Sequence, residues 1–433
     1  MRIIDGPLLH LNRTRLVRIL EEYCPDVVGF QLLTMDFAVV WRYITLVKEF
    51  FPTMITLVGG PQPSSEPEGT LHWFGPSLDY AFAGESEEGF SMLLDVIEGS
   101  TEHRPPTKYL SEIPGLVWRD GARARSNAPR RELNLDALGF PAWDMINPSS
   151  YPPAPHAAYA RAFPVGCISA SRGCPYDCNF CAASITQGKK LRTRSVEHVL
   201  EEIEMLVRHY GMKEIHLVDD NFTYYRDYAM RFCEQKSRRF PEIYWTCPNG
   251  VRLDSLDLEL LDAMRRSGCY SLSLGIESGS QRVLDRARKR QTIEQVREKV
   301  ELIRKAGMEV NGFFIFGMPG ESLEDMQATI RLSLELDLTR SHYMFFHPMP
   351  ATSEYKRIIS ECPECLRHVE SSLERVAYVE KGLTEKTLKH MQRSAFLRFY
   401  LRPAQFFKLF SSLRSPTQIY YLMRRISRWM VFS

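Results

Sequence analysis

A chain of 433 residues with 44% hydrophobic and 25% charged residues is long enough for two or three domains with substantial cores. Its formal net charge of +2 leaves little basic excess, which argues against nucleic acid as a partner. No apolar stretch approaches the roughly 18–20 residues that span a bilayer, Met1 to Leu20 lacks the apolar core of a signal peptide, and ten cysteines suit a reducing, cytoplasmic setting better than a disulfide framework.

In chain order, Arg2 to Asp5 reads as a strand already inside a domain whose first strand and helix are missing. Val27 to Phe30, Ile55 to Gly60 and Tyr80 to Glu85 read as buried parallel strands ending in turns, with helices over Phe37 to Phe51 and Glu87 to Ile97. This rhythm predicts a doubly wound sheet over residues 1–100 whose ligand-facing loops lie at the strand ends. Residues 101–160 are poor in periodic runs and read as a linker, with a small hairpin arm near Leu116 to Gly121. Residues 161–360 return to strict alternation. Predicted strands are Val165–Ser171, Glu214–Val218, Ile243–Cys247, Ser271–Ile276, Gly312–Phe316 and His342–Phe346. The helices between them include Ser195–Tyr210, Leu256–Ser267, Ile293–Ala306 and Leu323–Leu336. The overall expectation is an α/β chain in which a partial (β/α)6 TIM-type barrel carries its site at the carboxyl ends of the strands, followed by a helical basic region over 361–433.

Chemistry concentrates after the first barrel strand, in Ser171-Arg172-Gly173-Cys174-Pro175-Tyr176-Asp177-Cys178-Asn179-Phe180-Cys181. A curled C-x3-C-x2-C loop presents three thiolates to one face of an iron–sulfur cubane and leaves the fourth iron open. That iron can chelate the amino and carboxylate groups of S-adenosylmethionine. Structural zinc is the bland alternative, but it usually closes with a fourth Cys or His at recognisable spacing, and none lies nearby.

With this loop the chain resembles the radical S-adenosylmethionine superfamily, and later pieces follow in that family's order. The resemblance implies a [4Fe–4S] cluster on Cys174, Cys178 and Cys181. It puts Asp219 and Asp220 near the methionine amino group, Glu277 and Ser278 near ribose or carboxylate, and Gly317 of Gly317-Met318-Pro319-Gly320-Glu321 near adenine. Seen alone, the aspartates can be helix caps, Glu277 can be half of an ion pair, and the glycines can be a turn.

The N-terminal segment resembles the cobalamin-binding domain of one subgroup, through Pro25-Asp26-Val27-Val28-Gly29, Val58-Gly59-Gly60-Pro61-Gln62 and Ala83-Gly84-Glu85-Ser86-Glu87. That subgroup includes methyltransferases acting on unactivated carbon, hopanoid-associated enzymes and the anaerobic magnesium-protoporphyrin ester cyclase. It implies cobalamin beside Gly59, Gly60 and Gly84, a small-molecule or lipid substrate, and an external electron donor such as flavodoxin or ferredoxin. No catalytic acid or base is assigned. The Asp-x-His-x-x-Gly signature is absent, and Gln62 stands where relatives commonly carry His. Cys362-Pro363-Glu364-Cys365 invites an auxiliary metal site, but with only two thiols there Cys362 and Cys365 read as ordinary reduced cysteines. The tail after Glu385 is basic and aromatic, which suits either a helical cap on the barrel or peripheral contact with an anionic membrane face.

Overall fold

The computed structural model describes residues 1–100, 105–152, 160–367, 375–411, 416, 418–420 and 423–424. Three apolar runs form parallel strands β1 (Val27–Gln31), β2 (Ile55–Gly59) and β3 (Tyr80–Phe82), paired in chain order. Both faces of this sheet are covered. Val58 and Ala81 pack with Val40, Ile44 and Leu71 on one side, and Leu57 and Phe82 pack with Leu93 and Ile97 on the other. Arg2 to Asp5 forms no strand. Asp5 Oδ1 instead accepts from the Leu8 N–H at 2.8 Å, a local bond that competes with a ladder. The hairpin β4 (Leu116–Asp120) and β5 (Arg123–Ser126) is present but is not an arm. Through Ala81 and Val117 it pairs antiparallel with β3, because Leu116, Val117 and Trp118 are buried and need a sheet to cover.

The second half is built from β6 (Val165–Ile168), a short hairpin of β7 (Ser171–Arg172) and β8 (Arg192–Thr193), then β9 (Glu214–Leu217), β10 (Tyr244–Val251), β11 (Cys269–Glu277), β12 (Glu309–Phe316) and β13 (Arg340–Phe345). Six of these strands run parallel in the order β6, β9, β10, β11, β12, β13, and β6 and β13 remain edges, so the barrel is partial. Alternate side chains divide the work. Ile215, Leu217, Trp245, Leu272, Leu274, Val310 and Phe314 face outward into one large core under the helices. Those helices start on hydrogen-bonding caps. Ser195 caps Val196–Tyr210, while Thr292 with Gln295 and Ser322 with Asp325 form capping boxes for Ile293–Lys305 and Leu323–Glu335.

The helix Glu385–Tyr400 buries Leu388, Met391, Ala395 and Phe399 against the barrel, and the Tyr400 hydroxyl donates to the Ser341 carbonyl on β13 at 2.9 Å. The first part of the tail is thus a cap. Arg414, Tyr421, Arg425, Arg428, Trp429 and Phe432 lie outside the described residues. Among the described residues no helix is long and apolar enough to cross a membrane.

Candidate active site

The cysteine loop takes its shape from distant segments. Gly173 holds φ +104°, and a side chain there would collide with the Lys190 carbonyl, so only glycine lets the chain turn. The Cys174 N–H donates to the Gly188 carbonyl at 2.9 Å, and the Asn179 N–H to the Ala287 carbonyl at 3.2 Å. The Asn179 side-chain amide reaches the Arg286 carbonyl at 2.9 Å and Glu354 Oε2 at 3.0 Å.

Cys174, Cys178 and Cys181 are free thiols. Burial of the sulfurs pushes Cys174 up and Cys181 up to about 11, with the neighbouring thiolates adding to the effect. Such thiols stay protonated until a metal displaces the proton, so loading the loop releases protons. Among the described residues their sulfurs do not all gather within 4.8 Å of one another. A single ion needs its ligand atoms on one centre, whereas the thiolates of a cubane bind different irons and stand further apart. The donor set fits a cluster better than zinc.

Strand parity separates the two aspartates. Asp219 continues the outer face of β9, where its carboxylate accepts from the Ala170 N–H at 3.1 Å and from the Ser171 hydroxyl. Burial raises it to about 6 against those bonds. It fixes the approach to the cysteine loop. Asp220 faces inward, is raised by burial, has a buried Oδ2 without a partner, and its charge is felt at Cys174.

The same parity divides Glu277 from Ser278. Glu277 is buried at φ +66°, a conformation that costs about 1 kcal/mol or more for a residue with a Cβ. Lys289 Nζ holds it at 2.5 Å. A side chain at Gly275 would stand 2.5 Å from Glu277 Oε1 and 2.8 Å from that ammonium, so a larger residue there would displace the pair. Ser278 points outward and shares its hydroxyl with Thr329 at 3.1 Å. Gly317, at φ +77°, donates its N–H to Glu321 Oε2 at 2.6 Å. Lys289 and Arg252 escaped the sequence reading. Arg252 lies 3.9 Å over the Tyr176 ring in the cysteine loop and donates to the Lys289 carbonyl at 2.7 Å. The available signal was chemical: a buried Glu277 demands a cation, and residues 286–290 are rich in them.

The first sheet presents its loops to this site. The turn Pro61–Ser65 after β2 packs on Ala183–Thr186, the helix that follows Cys181. A Cβ at Gly59 would meet nothing within 4 Å, which leaves room for a flat group to approach the backbone, while Gly60 turns at φ +115° against Leu32. Gly84 turns at φ +77° and donates its N–H to Ser64 Oγ at 2.8 Å. Gln62 is buried and occupied, accepting from Thr34 at 2.7 Å and donating to Glu66 at 3.1 Å. Glu85 joins Arg192 at 2.9 Å, and Arg172, the residue before Gly173, pairs with Glu87 at 2.8 Å. Cys362 and Cys365, expected as reduced thiols, are joined as a disulfide. The turn between them brings their Cα atoms to 5.4 Å, inside bonding range.

Residues 168–333 match the Radical SAM superfamily, and residues 3–94 match the B12 binding domain. Cytidylyl-2-hydroxyethylphosphonate methyltransferase of Streptomyces wedmorensis is 32% identical over 85% of this chain and 72% of its own. An uncharacterized methyltransferase of Pyrococcus horikoshii is 29% identical over 93% of this chain and 84% of its own. In fold, the chain is similar to the radical S-adenosylmethionine methyltransferase TsrM of Kitasatospora setae, solved with cobalamin and a [4Fe–4S] cluster. The TM-score is 0.70 at 19% identity, over 91% of this chain and 84% of that one. It is also similar to the cobalamin-dependent radical enzyme OxsB, with a TM-score of 0.73 at 16% identity, over 99% of this chain and 66% of that one.

Proposed function

Because this chain belongs to the radical SAM superfamily, in the branch that carries a B12 binding domain, we propose that it methylates an unactivated carbon of a small molecule. Its cofactors are a [4Fe–4S] cluster, S-adenosylmethionine and cobalamin. When bound, these supply a hydrogen-abstracting radical and a transferable methyl group. The observation that carries the reading is the junction itself: the turn after β2 of the B12-type domain packs on the helix leaving the cysteine loop.

The residues divide the remaining tasks. Cys174, Cys178 and Cys181 hold the cluster. Asp220, with its unspent carboxylate oxygen, takes the methionine ammonium, while Lys289 and Glu277 together meet the methionine carboxylate and ribose. The Gly317 turn, held by Glu321, admits adenine to the backbone. Gly59, Gly60 and Gly84 line the corrin. Asp219 and Ser278 serve as struts. The electron donor is an external protein of the flavodoxin or ferredoxin kind.

Anaerobic reconstitution tests this. Iron should load with an electron paramagnetic resonance signal that shifts on adding S-adenosylmethionine, and hydroxocobalamin should stay with the protein through desalting. Cys178→Ala should lose the cluster absorbance and all reductive cleavage. Cleavage retained in that variant, or zinc bound with no iron, would end the proposal.

A further inference from the structure

The concave face of the barrel carries an unusual lining. Interiors of such barrels are mostly branched apolar side chains. Here the strand registers set Cys167, His216, Thr246, Ser271 and Glu309 in one row across five neighbouring strands. One row higher on β12 stands Asn311. Its amide nitrogen donates to Ser271 Oγ at 2.9 Å, while its oxygen is buried without a partner. Below the row the lumen is closed. Glu214 accepts from the Arg161 and Ala162 N–H groups at 2.6 and 2.8 Å and from the Tyr270 hydroxyl at 2.7 Å. Above it β12 and β13 carry apolar side chains beside His342, while β11 carries Glu277. Phe313 and Ile315 on β12 and Met344 on β13 are only half-buried, although their outward neighbours are fully covered. Cys167 is exposed although it is an inward residue, so a reagent can reach its sulfur.

We infer that the substrate is a two-ended small molecule with an apolar end and a hydrogen-bond-donating head. The apolar end lies against Phe313, Ile315 and Met344 below the cysteine loop, and a hydroxyl or amine head is seated on Asn311 Oδ1 and the polar row. A buried acceptor oxygen without a donor is costly, and a donor from the ligand removes that cost. Ile315 lies four positions along β12 from Asn311, about 13 Å at the strand rise, so the molecule is short. A long-chain lipid or a tetrapyrrole does not match a lumen that is closed and polar below. The assignment of the reacting end rests on the proposed function. The donor-seeking head site does not.

Cys167 lines the same face of the sheet and serves as the reporter thiol. The full chain with its cluster reconstituted is treated anaerobically with two methanethiosulfonates of matched size, the 2-hydroxyethyl and the n-propyl reagents, and modification is followed peptide by peptide. Relative to the rate ratio at exposed Cys24, the hydroxyethyl reagent should label Cys167 about fivefold faster, the worth of one hydrogen bond. Asn311→Leu should erase that preference. Thr246→Val, which removes a hydroxyl from the same wall, should reduce it and serves if the first variant does not fold. Equal or faster labelling by the propyl reagent overturns the inference. The readout needs neither S-adenosylmethionine nor reduction, so an inactive enzyme that keeps the hydroxyl preference counts against the radical reading alone.

Discussion

Glu321 is the residue whose chemistry is most exposed to a pH measurement. Its Oε2 takes the N–H groups of Gly317 and Met318, its Oε1 has no partner, and burial raises the carboxyl to about 8. Between the unfolded value near 4.5 and that folded value, the native state holds a proton that the unfolded chain has released. Stability from this group is therefore present at acid pH and is lost as pH rises toward 8, with a slope of up to about 1.4 kcal/mol per pH unit. Glu321→Gln keeps an acceptor for both N–H groups and cannot titrate. Urea unfolding from pH 5 to 8.5 should show a flatter profile in the variant, and an unchanged profile would reject the assignment. At this scale the sequence was legible where spacing is local. The three cysteines and Gly173 lie within nine positions, so their shared loop could be read directly. Asp219 and Asp220 were not separated, although the outward parity of Ile215 and Leu217 was a usable signal. Lys289 was out of reach because its partner Glu277 is set by the path between them, and neighbouring cations in 286–290 compete for the role on sequence alone.

Among elements, the joint between the two sheets depends on buried charge. Arg192 on β8 is almost fully buried and pairs with Glu85 from the loop after β3. Removing one partner leaves the other charged and desolvated, which costs about 3–5 kcal/mol. Arg192→Met should lower the unfolding free energy by that order. Arg192→Met combined with Glu85→Leu should recover most of it, because two apolar groups replace a pair rather than breaking it. A double-mutant cycle by urea denaturation reads this, and a double variant as unstable as the single one would show that the pair does not hold the joint. Strands and helices themselves were foreseen closely, since the apolar period changes between them. The two misreadings, a strand at Arg2 to Asp5 and a free hairpin arm, share a cause. Whether a short run finds a pairing edge is decided by β3 and by the Asp5 turn, not by the run.

Over the whole molecule, the alternation of strand and helix announced the partial barrel, while the docking of the first sheet on the cysteine loop could not be seen. It is written in ion pairs between segments far apart in sequence. The tail is the remaining global feature. Its helix Pro403–Ser411 follows the cap and exposes Phe406 and Phe407 beside Lys408. Aromatic and basic side chains together favour an anionic bilayer surface. The full chain should co-sediment with phosphatidylserine vesicles at low salt, lose binding as salt rises, and lose it on truncation after Leu401. Absence of binding at low salt would leave the tail as a cap only.

The grip on Asn179 has a consequence for biosynthesis. All three of its holders come much later in the chain, Arg286 107 positions on with Ala287 beside it, and Glu354 175 positions on. At about 5–20 residues per second of synthesis, the three cysteines leave the ribosome on the order of ten seconds or more before the last holder exists. During that interval they belong to an unframed, solvent-facing segment open to oxidation or to the wrong metal. A nascent chain stalled before residue 354 should therefore take up iron poorly, although Cys174, Cys178 and Cys181 are already made.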